Sequence, residues 1–244
     1  MSQPDVLNDD TIIKVDAARC SLYPFTPIHP TGSIRLLTVH RAIIEHETGF
    51  RQRLCTLTTH TLSARPVYDA LFYTWDSPVT NETYKDMYKQ RRAWIIEENG
   101  TFYRLQLGRN LIEALVYLSE TGVPITTIWI DAICVNQDDL QERATQVKQM
   151  GFIYASCRQT IVWLGSPGVY ECNIGEVHRL HLLVVAAFGA VYGTTSGKRL
   201  VEDRMSWTIP NFYERLGLQS VKTKLDWKGY CQFLQHCRWF TRAW

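Results

Sequence analysis

Excess charge is what this chain lacks most clearly. Its 26 lysines and arginines stand against 24 aspartates and glutamates, a formal net charge of +2. No basic run and no alternation of basic and aromatic residues accompanies that balance, so nucleic acid is not an expected partner. Long apolar runs are missing too. The most hydrophobic segment, Leu182 to Tyr192, is shorter than a bilayer span requires and reads as a buried helix, so no membrane span is expected. The N-terminus carries Asp5, Asp9 and Asp10 and has no apolar core, which argues against a secretory signal. The 7 cysteines are odd in number and never fall in CxxC spacing, which argues against a disulfide framework or a zinc site. His178 and His181 form a close pair at helical spacing, but no third ligand accompanies them, so no metal is expected. Reduced thiols fit a cytoplasmic protein. There is no internal repeat and no low-complexity tract.

What is present fits a globular α/β chain. Hydrophobic residues make up 45% and charged residues 20%, enough to bury one large core or two small ones. Residues 1–32 are proline-bearing and weakly periodic and read as a leader with one short element at most. Ser33–Val39 and Arg53–Thr59 read as strands, flanking a His- and Glu-rich stretch, His40–Thr48, that reads as a loop or short helix. Val67–Tyr73 is the next strand. Asn99-Gly100 between two apolar runs predicts a β-hairpin over Trp94–Leu107, because both turn positions need positive φ. Asn110 then reads as a helix cap before Leu111, Leu115 and Leu118, with Gly122-Val123-Pro124 as the stop. Further helices are expected over Glu176–Tyr192 and Trp227–His236.

The stretch from Ile128 to Gly165 is the most informative. Ile128–Ile130 is a short apolar strand that runs into Asp131 and a polar loop with Cys134, Asn136, Gln137 and Asp138. Asp139 caps the following helix, with Glu142 placed for a capping box. Leu140, Ala144, Val147, Gly151 and Tyr154 form a stripe that predicts its buried face. Thr160–Leu164 is a second strand. The pattern is a βαβ unit whose strands are expected to be parallel neighbours. The fold expected is a mostly parallel sheet flanked by helices, with the hairpin as an insertion.

In such sheets ligands bind at the carboxyl ends of the strands. That rim would gather Tyr73, Trp75, Asp76, Asp131 and Asn136, with aromatic rings to stack on a base and carboxylates for ribose hydroxyls or acid–base work. Asp131 and Glu142 are the candidate catalytic carboxylates. Each has a structural alternative: Asp131 as a turn cap, Glu142 as half of the capping box. Cys134 reads as a small buried residue rather than a nucleophile, since no histidine lies near it in sequence.

The segment WIDAICVNQDDLQERATQVKQMGFIYASCRQTIVWLG, Trp129 to Gly165, closely resembles the central signature of the fungal heterokaryon incompatibility (HET) domain. VYDALFYTW, Val67 to Trp75, resembles that family's opening motif, and WIIEENGTFYRLQLGRNLIEAL, Trp94 to Leu115, its hairpin-then-helix block. The resemblance places a HET domain over residues 33–244, with its core motifs at 67–165. It implies an effector of fungal non-self recognition that triggers programmed cell death. The HET family is in turn similar to TIR domains, many of which hydrolyse NAD at the nicotinamide–ribose bond. NAD is then the implied substrate, a nucleotide the implied ligand, and no cofactor is required. The alternative implied is a non-catalytic death-signalling module that self-associates or binds other fungal incompatibility proteins. Two departures stand out. Asp76 occupies a position where the family usually has glycine. The tryptophan-phenylalanine, arginine, tryptophan motif is present at Trp239–Trp244, but the glutamine-glutamate pair that usually follows is not, and the resemblance equates its glutamate with the catalytic TIR glutamate; it therefore implies a domain truncated at its C-terminus and favours the non-catalytic alternative for the chain as it stands.

Overall fold

In the computed structural model the chain divides into two units, Met1–Ser166 and Pro167–Trp244. The structure describes residues 11–29, 32–80, 84–120, 126–166 and 235–238. The helices expected over Glu176–Tyr192 and Trp227–His236, apart from residues 235 and 236, lie outside the described residues. So do Gly122-Val123-Pro124 and the motif at Trp239–Trp244.

The first unit is built on one 8-stranded sheet. Its strands are β1 (Ile12–Val15), β2 (Ser33–His46), β3 (Arg51–Thr61), β4 (Asp69–Tyr73), β5 (Arg91–Glu98), β6 (Thr101–Gly108), β7 (Thr127–Trp129) and β8 (Thr160–Trp163). The helices are α1 (Lys85–Tyr88), α2 (Arg109–Glu120), α3 (Asp131–Cys134) and α4 (Leu140–Ser156). The strand order is β6-β5-β3-β2-β7-β4-β8, with β1 pairing β2.

The sheet is mixed, not mostly parallel. β2 with β3, β2 with β7, and β5 with β6 are antiparallel. Two of these pairs are hairpins, and a tight turn can join only antiparallel strands. The parallel block is β7-β4-β8. β7 and β8 run parallel, as the βαβ pattern predicts, but they are not neighbours. β4 lies between them and pairs with both: Ala70 is opposite Trp129 on one side and Thr160 on the other. Ala70 and Leu71 are completely buried, as expected for a strand with partners on both sides.

The His- and Glu-rich stretch is strand, not loop or helix. β2 continues through it to His46, with a register shift between Val39 and Ile43. Its polar residues are matched across the pair. His46 shares a 2.9 Å hydrogen bond with buried Gln52, and Arg51 donates to Glu45 at 2.8 Å. Gly49, at φ +77°, makes the turn. The hairpin at Asn99-Gly100 forms as predicted, with φ of +53° and +80°.

The segment before β2 packs on the sheet. β1 runs parallel to β2, Tyr23 is buried, and its hydroxyl donates to Glu98 at 3.1 Å. Asn110 is not a cap. It lies inside α2, fully buried.

α4 corrects the expected stripe. Its cap is Asp139, whose carboxylate accepts from the Gln141 and Glu142 amides. Leu140 and Val147, however, are 68% and 59% exposed, and Ala144 and Gly151 also face outward. The buried face carries Gln146 and Ile153, with Met150 and Tyr154 partly covered. Hydrogen bonds rather than apolarity seat this face. Gln146 donates to the Ser33 carbonyl at 2.8 Å, Tyr68 donates to the Ile153 carbonyl at 2.7 Å, and Gln149 accepts from the Gly32 amide at 3.2 Å. A buried amide that finds its partner carries little penalty, so a polar face can be the inner one. Val147→Asp should therefore leave stability within about 0.5 kcal/mol, whereas Ile153→Ala should cost about 2–5 kcal/mol. Urea denaturation of the two variants against wild type checks this; equal losses would place Val147 in the core.

Candidate functional site

Because β4, β7 and β8 are parallel, their carboxyl ends share one rim. Asn110 ties two of these ends together. Its amide nitrogen donates to the Thr74 carbonyl just past β4 at 2.7 Å, and its amide oxygen accepts from the Trp163 indole of β8 at 2.8 Å. From this tie the chain turns outward through Trp75, which is 41% exposed.

Trp75 meets the end of β7. Its indole nitrogen donates to Asp131 Oδ2 at 2.8 Å, and the Ala132 amide donates to Asp131 Oδ1 at 2.8 Å. Both oxygens are thus oriented by fixed donors. Gln137 donates from its side chain to the Asp131 carbonyl at 2.8 Å, closing the loop over α3.

These strand ends border a cleft of about 410 Å³. Tyr73, Trp75 and Asp76 line it, as do Ala132, Gln137 and Asp138 from the loop after β7. Asp131 does not line the cleft: it meets it only through the Trp75 indole, which donates to its carboxylate. Two more predicted residues lie elsewhere. Asn136 does not line the cleft: its amide donates to Glu142 Oε1 at 2.8 Å, and its side-chain oxygen accepts from the Asp138 amide. Glu142 does not line it either. It forms a buried ion pair with Arg35, at 2.6 Å to Oε1 and 3.0 Å to Oε2. The capping box therefore does not form in its reciprocal sense, because the carboxylate turns inward to the guanidinium. Arg35 also donates to the Cys134 carbonyl at 3.1 Å and the Thr26 carbonyl at 2.6 Å, and Phe25 stacks 5.1 Å from its guanidinium.

Several cleft residues carried no signal in the sequence. Tyr23 and Phe25 come from the segment before β2, and Tyr88, Lys89, Arg91 and Arg104 from α1 and the β5–β6 hairpin. They meet the strand ends only through contacts distant in sequence. In isolation they read as a leader, a charged irregular stretch and a hairpin.

Burial sets the protonation of the groups nearby. It pushes the Cys134 thiol up to about 12, so this group is a protonated core residue and no nucleophile. Tyr154 is also pushed up, first by burial and then by the charge of Asp131. Among the described residues no cluster of three or more His, Cys, Asp or Glu could hold a metal ion. Among them, too, no helix is long and apolar enough to cross a membrane.

A second cavity, of about 1150 Å³, lies at the other end of β4. Leu62, Val67 and Phe152 supply much of its apolar lining.

The thiols give a direct check on these burials. The folded chain, treated with iodoacetamide at pH 8 and mapped by mass spectrometry, should be alkylated at half-exposed Cys20 and Cys157 but not at Cys55 or Cys134. The latter two thiols are both pushed up to about 12. Both should react once urea unfolds the chain. Modification of native Cys134 at the rate of Cys157 would contradict its placement.

Residues 68–244 match the family model described as heterokaryon incompatibility protein (HET). The chain is also 32% identical over 177 residues to heterokaryon incompatibility protein 6, OR allele, of Neurospora crassa. That match covers 70% of this chain and 23% of the relative, so the chain spans less than a quarter of that protein's length. No solved structure matches the chain. With the family model covering well over half its residues, the chain belongs to the heterokaryon incompatibility (HET) family.

Proposed function

We propose that this chain is an effector of fungal non-self recognition that acts in programmed cell death by hydrolysing the nicotinamide–ribose bond of NAD or a related nucleotide in the rim cleft. Family membership supports the biological role. The observation that carries the chemistry is the Trp75–Asp131 pair: a carboxylate fixed by two donors, one of them an exposed indole that lines a cleft large enough for a small ligand. In this reading the indole stacks on a ring of the substrate, and the Asp131 carboxylate behind it supplies negative charge to the ribose. The C1′–N bond breaks with its electron pair leaving on nicotinamide, and the carboxylate supports the oxocarbenium-like sugar. Water then adds to C1′ and releases a proton. The TIR-like chemistry enters by the sequence resemblance.

Asp131→Ala should lower nicotinamide release by about 100-fold or more, within the range for loss of one charged group in a site. Trp75→Phe keeps a ring and loses the N–H, and should cost about tenfold. Chromatographic measurement of nicotinamide from NAD checks both. Unchanged release by Asp131→Ala removes Asp131 from the chemistry.

One observation favours a second reading, in which the chain signals by self-association or by binding other incompatibility proteins. The outward stripe of α4 presents Leu140 and Val147 to solvent, and large exposed apolar residues on one face are typical of interaction surfaces. If wild type releases no nicotinamide, and sedimentation shows an oligomer that Val147→Asp dissolves, this reading replaces the first.

A further inference from the structure

Some arginines of the first unit have a carboxylate beside them and others do not. Arg19, Arg35, Arg51, Arg109 and Arg158 each pair with a carboxylate at 2.6–2.9 Å. Arg91 and Arg104, both lining the rim cleft, have no carboxylate partner among the described residues. Arg104 is partly buried, and its Nε is shielded from solvent without a hydrogen-bond acceptor. A shielded guanidinium donor with no acceptor is costly, and a ligand oxygen in the cleft would offset that cost. Lys89 adds a third cation to the same lining, although it also pairs with Asp86 at 2.8 Å.

The rest of the cleft has a different character. Trp75 offers an exposed ring, and Asp76 and Asp138 come from the strand-end loops. The cations come from α1 and the β5–β6 hairpin. A ligand suited to both parts is anionic at one end and carries a ring at the other. Guanidinium groups match phosphate oxygens in geometry, and aromatic faces accept bases.

We propose that Arg104 and Arg91 form a phosphate subsite, with Lys89 at its edge, and that the cleft selects nucleotides bearing a phosphoanhydride over nucleosides. This rests on the reading of the cleft as a nucleotide site and names the part of the ligand that the hairpin recognises. The hairpin then sets ligand class, while the strand ends hold the groups assigned to the chemistry.

The test is titration calorimetry on the full 244-residue chain with ADP-ribose, adenosine and inorganic pyrophosphate. ADP-ribose should bind at least about tenfold more tightly than either of the others, because only it engages both the cations and the rings. Arg104→Gln and Arg91→Gln should each weaken ADP-ribose by about tenfold and leave adenosine unchanged. Arg104→Lys should restore part of the loss. Arg65→Gln, which lines the other cavity, should change nothing. Arg91 is exposed, so its variant keeps the test valid if Arg104→Gln fails to fold. The proposal is overturned if ADP-ribose binds no better than adenosine, if folded variants bind it as wild type does, or if nothing binds. It is also overturned if pyrophosphate alone binds as tightly as ADP-ribose, which would reveal a general anion patch. Nicotinamide release separates the two readings. Arg-dependent ADP-ribose binding without NAD cleavage keeps the subsite and removes the hydrolase. NAD cleavage with a KM indifferent to both arginines keeps the hydrolase and removes the subsite.

Discussion

The ion pair between Arg35 and Glu142 is the contact on which the rest of the first unit depends. Both side chains are buried, 3% and 8% exposed, and they come from β2 and α4, more than 100 residues apart in sequence. Two charges removed from water carry a desolvation cost that is offset only if their remaining hydrogen-bonding capacity is used. Here it is used. The two terminal nitrogens of Arg35 reach Glu142 twice, the Cys134 carbonyl and the Thr26 carbonyl, while Glu142 also accepts the Asn136 amide. One pair therefore fixes four pieces of chain: β2, α4, the loop after β7 and the segment before β2.

Those pieces surround the rim. The Cys134–Asp138 loop places Gln137 and Asp138 in the cleft, and the segment around Thr26 places Tyr23 and Phe25 there. Asp131 begins the short helix that ends at Cys134, whose carbonyl Arg35 holds. At the other side of the rim Asn110 joins β4 to β8. The cleft is thus bounded by segments that two polar ties hold in register, and its remaining wall is the β5–β6 hairpin.

Much of this could be read from the residues where the cause is local. Asn99-Gly100 needs positive φ and makes its hairpin, Asp139 caps its helix, and the apolar runs ending at Tyr73 and Trp163 are strands. What failed had non-local causes. His46 and Glu45 look like loop residues until Gln52 and Arg51 stand opposite them. The apolar stripe of α4 looks like a core face until Gln146 and Glu142 find Ser33 and Arg35 on β2. The same holds for the site. Tyr73, Trp75 and Asp76 follow a strand in a parallel block and line the cleft, whereas Asp131, at the end of the next strand, only holds the Trp75 indole from outside the lining. Asn136 and Glu142 carry the right chemistry in the right loop, yet their side chains serve that loop's geometry. No local pattern distinguishes those two roles.

Amide hydrogen exchange, read by mass spectrometry on wild type and Glu142→Gln, tests the central claim most directly. Loss of the charge should leave Arg35 unpaired and loosen the pieces it joins. The account predicts faster exchange across residues 132–139 and 21–26, with the β2–β3 ladder still protected. Unchanged exchange in both segments, in a variant that remains folded, would contradict the claim that this pair holds the rim in place.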